Sequence, residues 1–246
     1  MPTRLHIAAK ELRGDLAAYA KRFDLLEVRG VEAARLRAAP SAATLRRWRR
    51  AVPPQFEFAV LAGPSVGKLK PGDAFEAEVQ AMLAAATVLE SRVLVVPTDA
   101  SVTPAKIWRD RLGSLVDRLR HDAIDIVWEP SGVWEIEDAA AQAKKWGIVV
   151  GVDPARDVVP AGPVAYARLR AAGGTRAFST AALQKVADAI GERRDAYVII
   201  ETAAALKEGK VLRTLFRPTK PKRVGTSRLI RPRGAPLRVR DDEQEE

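Results

Sequence analysis

From Leu16 to Gly30 the chain reads LAAYAKRFDLLEVRG, and from Pro40 to Val60 it reads PSAATLRRWRRAVPPQFEFAV. In each stretch a run of good helix formers leads into a short apolar strand. The first strand, Leu25–Val28, carries the acid Glu27 near its end. The second helix, Ser41–Arg50, is rich in arginine around Trp48. It opens on Ser41, whose hydroxyl can accept from the free N–H groups of a first turn. The second strand, Glu57–Leu61, is nearly all apolar, as expected where a parallel sheet is covered on its outer face. Helix, strand, helix, strand in so short a span is the order of an α/β fold.

The alternation continues in both directions. Candidate strands are Arg4–Ala8, Leu25–Val28, Glu57–Leu61, Arg92–Val96, Ile124–Trp128, Gly147–Val152, Val164–Leu169 and Tyr197–Glu201. The segments Gly14–Arg22, Ser41–Arg50, Asp73–Glu90, Thr103–Leu119, Glu135–Lys145 and Thr180–Arg193 read as helices, with Ser41, Asp73, Thr103 and Thr180 as N-caps. About eight strands alternating with helices is the count of a TIM-type (β/α)8 barrel. An open doubly wound sheet would give the same alternation. Asp153–Gly162, DPARDVVPAG, has two prolines and no helical stripe, so the sixth helix is expected to be short or missing. Gly63–Gly72 reads as a loop at the barrel mouth.

Composition sets limits on class. A chain of 246 residues with 47% hydrophobic content can fill a single barrel core. There is no cysteine, which excludes disulfides, thiolate metal sites and cysteine nucleophiles. The N-terminus lacks the apolar core of a signal peptide, and the alanine-rich runs are broken by charge before membrane-spanning length. These features predict a cytoplasmic protein with no membrane span. The formal charge is +10, and part of it is local: Arg217–Arg240 holds nine Lys/Arg and no acid before the acidic end DDEQEE. The expected organisation is a barrel over residues 1–216 and a basic, disordered tail over 217–246.

The opening stretch resembles the start of the YecE-like family (domain of unknown function 72). That family has a Tyr-Ala helix, a Phe-Asn-Thr-Val-Glu-Ile strand, an Arg-Trp helix and a Phe-Arg-Phe-Ala-Val strand. Further along, Pro130-Ser131-Gly132-Val133-Trp134 resembles its Pro-Ser-Trp turn. Tyr166-Ala167-Arg168-Leu169-Arg170 resembles its Tyr-Val-Arg-Leu-His-Gly motif, Phe178-Ser179 its Tyr-Ser pair, and Tyr197-Val198-Ile199-Ile200 its last strand. The resemblance implies a TIM-type barrel with Glu27 at its mouth. Several family features are replaced. The Gly-Thr-Ser-Gly-Trp turn gives way to Ala8-Ala9-Lys10-Glu11, a lysine after strand three becomes Leu61, and an Asn-Asn pair after strand eight becomes Glu201-Thr202.

Barrel enzymes carry their reacting groups at the C-terminal ends of the strands. Period two places Leu25 with Glu27 on one face, and Tyr166 with Arg168 and Arg170 on another. The expected mouth holds Glu27, Glu129, Asp153 and Glu201 beside Arg29, Arg168 and Arg170. From the resemblance, Glu27 and Arg168 are the leading catalytic candidates. Arg168, with Arg170, would clamp a small anionic ligand through its planar fork, and Glu27 would serve as acid or base. The same pair could equally be a structural ion pair at the rim. A different class of function is a non-catalytic binding barrel, recruited to nucleic acid or an acidic partner through the tail.

Other chemistries find little support. His6 and His121 are too few for a histidine-rich zinc site, and His6 suits a polar niche in the core. A magnesium site on Glu27, Glu129 and Asp153 has no diagnostic spacing, and no cofactor is identifiable. Gly63–Lys68 has the wrong glycine spacing for a phosphate loop, and Leu69 stands where Ser or Thr is required. Gly173-Gly174 reads as a turn, with a phosphate contact as the alternative. Trp48, Trp128 and Trp134 read as packing residues, with a pocket wall that stacks on a ligand as the alternative for Trp128 and Trp134.

Overall fold

The computed structural model describes residues 2–12, 14–29, 40–170 and 177–216. Eight parallel strands form the sheet: β1 (Arg4–Ala9), β2 (Leu25–Arg29), β3 (Glu57–Leu61), β4 (Val93–Pro97), β5 (Asp125–Glu129), β6 (Val149–Val152), β7 (Val164–Leu169) and β8 (Asp195–Ile200). They pair in the order β1-β8-β7-β6-β5-β4-β3-β2. The connecting helices are α1 (Leu16–Ala20), α2 (Ala42–Ala51), α3 (Pro64–Gly67), α4 (Asp73–Leu89), α5 (Lys106–Leu119), α6 (Ile136–Trp146) and α7 (Thr180–Ile190), with α8 (Ala205–Leu215) after β8. The arrangement is a nearly closed TIM-type barrel. Among the described residues no helix lies between β6 and β7, in keeping with the two prolines of that connection.

The ladder between β1 and β2 is the one left open. There Asp24 donates its backbone N–H to Ile7 at 2.9 Å. The Tyr19 hydroxyl accepts from Ala9 N–H and donates to the Leu25 carbonyl, each at 3.0 Å. A side chain thus supplies hydrogen bonds that a strand neighbour would otherwise make.

Period two sorts the strands into two cores. Ala8, Leu25, Ala59, Leu61, Val93, Val95, Val127, Tyr166, Tyr197 and Ile199 fill the barrel interior. Their neighbours, among them Val28, Val60, Leu94, Trp128, Ala167 and Val198, face outward beneath the helices. Each large apolar side chain fully removed from water stabilises the fold by about 1.5–3 kcal/mol. Trp128 is completely buried in this outer layer, and its indole N–H reaches Thr98 Oγ1 at 3.0 Å. Trp128 and Trp134 pack edge to face.

At the N-terminal end of the barrel, Asp195 accepts hydrogen bonds from Arg4 at 2.8 Å and Arg194 at 2.7 Å. His6 stacks on Tyr197 with ring centroids 4.8 Å apart, and its Nε2 lies 3.4 Å from Asp195. Burial alone would raise the Asp195 pKa, but the two arginines outweigh it and hold the carboxyl below its ordinary range. His6 therefore occupies the polar niche that its position predicts.

Some helix starts differ from the sequence reading. Ser41 caps α2 by accepting from Thr44 N–H. Asp73 is the first residue of α4 rather than its cap, α5 begins after Ala105 rather than at Thr103, and Ser179, not Thr180, caps α7. Within Gly63–Gly72 a single helical turn forms, because Glu78 of α4 accepts from the N–H groups of Ser65 and Val66. Gly173-Gly174 and the tail from Arg217 lie outside the described residues. No helix among the described residues is long and apolar enough to cross a membrane.

Candidate functional site at the barrel mouth

The inward rows of four strands end in polar residues, and these meet over the barrel interior. Above Leu25 stands Glu27, above Val127 stands Glu129, above Tyr166 stands Arg168, and beyond Ile199 comes Glu201. Arg168 is the centre. Its Nε donates to Glu129 Oε1 at 2.7 Å, and its Nη1 donates to Glu27 Oε2 at 3.0 Å and Glu201 Oε1 at 3.1 Å. Its Nη2 donates to Glu27 Oε1, which also accepts from the Tyr166 hydroxyl. One bond from Nε, two from Nη1 and one from Nη2 occupy four of the five N–H groups of the fork.

The cluster is deep. The side chains of Arg168 and Glu27 are each 5% exposed, Glu129 is 12% and Glu201 17%. Three carboxylates therefore surround a single buried guanidinium, and one positive charge cannot balance three. Burial pushes the Glu129 carboxyl above its usual range against the pull of Arg168. Burial by itself would lower the Arg168 pKa, but the charges of Glu27 and Glu129 reverse this and raise it. Tyr166 is fully buried, and both burial and the neighbouring Glu27 push its hydroxyl well above the ordinary value.

The three glutamates are not equivalent. Both oxygens of Glu27 are taken up by Arg168 and Tyr166. Glu129 is held through Oε1 alone, so among the described residues its second oxygen has no donor. Glu201 bridges two environments. Its Oε1 meets Arg168, while its Oε2 lies 3.7 Å from Arg170 Nε and 3.9 Å from Lys10 Nζ. Arg170 is 54% exposed and Lys10 55%. Those two contacts are too long for hydrogen bonds and are ion pairs at the rim.

Beside Glu201 a cleft of about 660 Å³ opens between the β1–α1 connection and α8. Lys10, Tyr19, Glu201, Thr202 and Leu206 are among its walls. Thr202 is fixed from behind by Glu208 of α8. This buried carboxylate accepts from the Thr202 hydroxyl and, at 2.5 Å, from the N–H of Phe178. Glu208 thereby ties the β8–α8 turn to the start of α7.

Of the seven sequence candidates, the structure joins five: Glu27, Glu129, Arg168, Arg170 and Glu201. Asp153 is buried nearby but works locally. It accepts from Ala155 N–H at 3.1 Å and Arg170 N–H at 3.4 Å, tying the β6 turn to the end of β7. Arg29 is exposed at the end of β2 and has no polar side-chain partner among the described residues. Two members of the site were not foreseen, Tyr166 and Lys10. Tyr166 shares the inward row of Arg168, which is a signal of its place but not of its bond to Glu27. Lys10 stands two residues after the inward Ala8, so the same period marks it.

Among curated proteins none matches the chain. Solved structures do. A DUF72 family protein of Enterococcus faecalis superposes with a TM-score of 0.70 at 12% identity, covering 88% of this chain and 96% of that one. A DUF72 family protein of Thermotoga maritima gives 0.62 at 14% identity, covering 85% and 99%. The barrel is similar also to D-psicose 3-epimerase of Clostridium cellulolyticum, with a TM-score of 0.53 at 13% identity over 81% and 84%. At such identities the likeness is one of fold. The sequence itself carries the relationship further: residues 8–228 match the family model described as protein of unknown function DUF72. That match spans most of the chain, and the chain belongs to the DUF72 family.

Proposed function

We propose that the barrel mouth binds a small anionic ligand and exchanges a proton with it. The observation that carries this reading is the position of Glu201, shared between buried Arg168 and the half-exposed Arg170 and Lys10 at the edge of the cleft. The rim cations Lys10 and Arg170 are the anion contacts. Arg168 would have served as the clamp by sequence, but four of its five donors are spent on the glutamates, so its role is to hold them in place. Glu129 carries the proton. Among the described residues one of its oxygens has no donor, and its raised pKa is the direction a group needs to give up a proton near neutral pH. Glu27, engaged at both oxygens, is the structural counter-charge of Arg168.

The test is a thermal-shift screen of the full chain with inorganic phosphate, sulfate and small phosphorylated or carboxylated compounds. An anion that raises the melting temperature should lose its effect in Lys10→Ala/Arg170→Ala and keep it in Glu27→Gln. If no anion shifts the melting point, or if the double variant responds like the parent, the mouth does not bind anions through these groups. A second reading, binding without chemistry, draws on the 5% exposure of Arg168 and Glu27. It requires that Glu129→Gln bind the same anion with unchanged pH dependence, whereas the proton-exchange reading requires that dependence to shift.

A further inference from the structure

The outer surface of the barrel carries a second feature that the mouth does not use. Helix α2, AATLRRWRRA, holds four arginines and no acid. Arg49 is consumed within the fold: it donates to the carbonyls of Phe56 at 2.9 Å and Pro53 at 3.0 Å and lies 3.5 Å from Glu90. Arg46, Arg47 and Arg50 are exposed, and among the described residues no carboxylate lies within ion-pair distance of them. Like charges three and four residues apart on a helix repel, as Arg47 and Arg46 do with Arg50. The helix dipole compensates Arg50 in the last turn but does little for Arg46 and Arg47. Folding alone gives no reason for this cluster.

The flanks of α2 extend the pattern. On one side it packs against α4, which has no charge from Val79 to Leu89 and exposes Gln80, Ala84 and Thr87 there. The Arg49–Glu90 pair sets the lower ends of the two helices level, so this uncharged shelf borders the arginines. The acids at the top of α4 are mostly engaged elsewhere, Glu76 by Arg118 and Glu78 by the first turn of α3. On the other side α2 packs against α1, whose end presents exposed Lys21 and Arg22. Among the described residues no aromatic ring is exposed on this face: Trp48 is half-buried, while Tyr19 and Phe23 are buried.

We infer that the α1–α2–α4 flank docks the phosphate backbone of duplex nucleic acid. Guanidinium groups match phosphate oxygens in geometry and charge. An uncharged, small-residue shelf lets a rigid polyanion approach without repulsion. The absence of an exposed ring removes the stacking platform that single strands use, which selects the duplex. Contacts of this kind carry no base information, so the binding is independent of sequence.

The experiment measures fluorescence anisotropy of a labelled DNA duplex with the full chain over a series of salt concentrations. The cations of residues 217–240 are present in every variant, so differences report on α2. Arg46→Gln/Arg47→Gln/Arg50→Gln removes three phosphate contacts and should flatten the plot of log affinity against log salt by roughly three, at about 0.9 per contact. The melting temperature should stay at the parent value, since none of the three side chains holds the fold together. Lys144→Gln/Lys145→Gln on α6 is the control and should leave the slope unchanged. An unaltered slope in the triple variant, equal flattening in the control, or tighter binding of a single strand than of the duplex overturns the proposal. So does arginine-dependent binding of polyglutamate with none of the duplex, which would make the partner an acidic protein.

Discussion

Gly151 stands directly against Glu129: a β-carbon on this glycine would lie 2.7 Å from Glu129 Cγ and 3.3 Å from Val127 Cγ1. The glycine sits in the inward row of β6, next to the strand that carries Glu129. Its missing side chain is the space through which Glu129 reaches Arg168. Gly151→Ala should therefore cost about 1–3 kcal/mol, the usual range for overpacking a dense core. In a chain of this size each kcal/mol lowers the melting temperature by roughly 2–4 °C. Combining it with Glu129→Ala tests the cause. If the clash is with Glu129, the double variant loses clearly less than the sum of the two single losses.

Removing the central cation should be the most damaging change at the mouth. Arg168→Ala leaves three buried glutamates without their partner, and breaking a buried pair in this way costs about 3–5 kcal/mol. The loss should shrink as the pH falls and the carboxylates take up protons. Millimolar magnesium or calcium should also restore part of the stability of this variant, because hard cations accept a cage of carboxylate oxygens. Melting curves with and without the metal decide. Arg168→Lys should recover little, since one ammonium cannot replace bonds that leave from Nε and both Nη atoms.

The pH dependence of Glu129 has a definite sign. Its folded pKa is raised above the unfolded one, so its contribution is fully present below the ordinary carboxylate range and is lost as pH rises through the folded value. Glu129→Gln keeps an oxygen for Arg168 Nε and carries no charge. It should melt higher than the parent at neutral and alkaline pH, with the advantage vanishing in acid. Asp195 acts in the opposite sense. Its lowered pKa gives stability that is present above the ordinary range and lost as pH falls, so Asp195→Asn should be most harmful near neutrality.

Tyr166→Phe removes the hydroxyl that donates to Glu27 and leaves the ring in place. A hydrogen bond to a charged group is worth about 1.5–3 kcal/mol. A loss in that range, read by chemical denaturation, would assign the bond a structural share. A loss near zero would mean that Arg168 alone holds Glu27.

The strands were legible because each is a short apolar run between breaks, and Glu57–Leu61 and Val164–Leu169 fall where the sequence puts them. The mouth candidates followed from the family resemblance, from polar residues at strand ends and, on β2 and β7, from period two. Period two also puts Arg29 in the row of Glu27, yet Arg29 stays exposed outside the cluster. Helix α8 was missed. It contains Gly209 in its middle, which weakens a helical reading. The glycine is there for packing, since a β-carbon on it would come within 3.2 Å of Ile7. The closing of Arg168 upon three glutamates was not legible either. It depends on how far side chains from β2, β5, β7 and β8 reach across the barrel, and no local pattern encodes that distance.

The open seam between β1 and β2 has a consequence for how the chain is made. Strand β1 has one full ladder, and its partner β8 lies near the end of the barrel sequence. Strands β2 to β8 each pair with the next in order, so they can join the sheet as they emerge during synthesis. Of the eight strands the first to be made is thus the last to gain its ladder, after β8 has appeared. Until then Ile7 and Ala8, fully buried in the finished barrel, stay without cover. The growing barrel carries β1 as an unpaired edge until β8 is made, and that edge is where a nascent-chain chaperone would have to act.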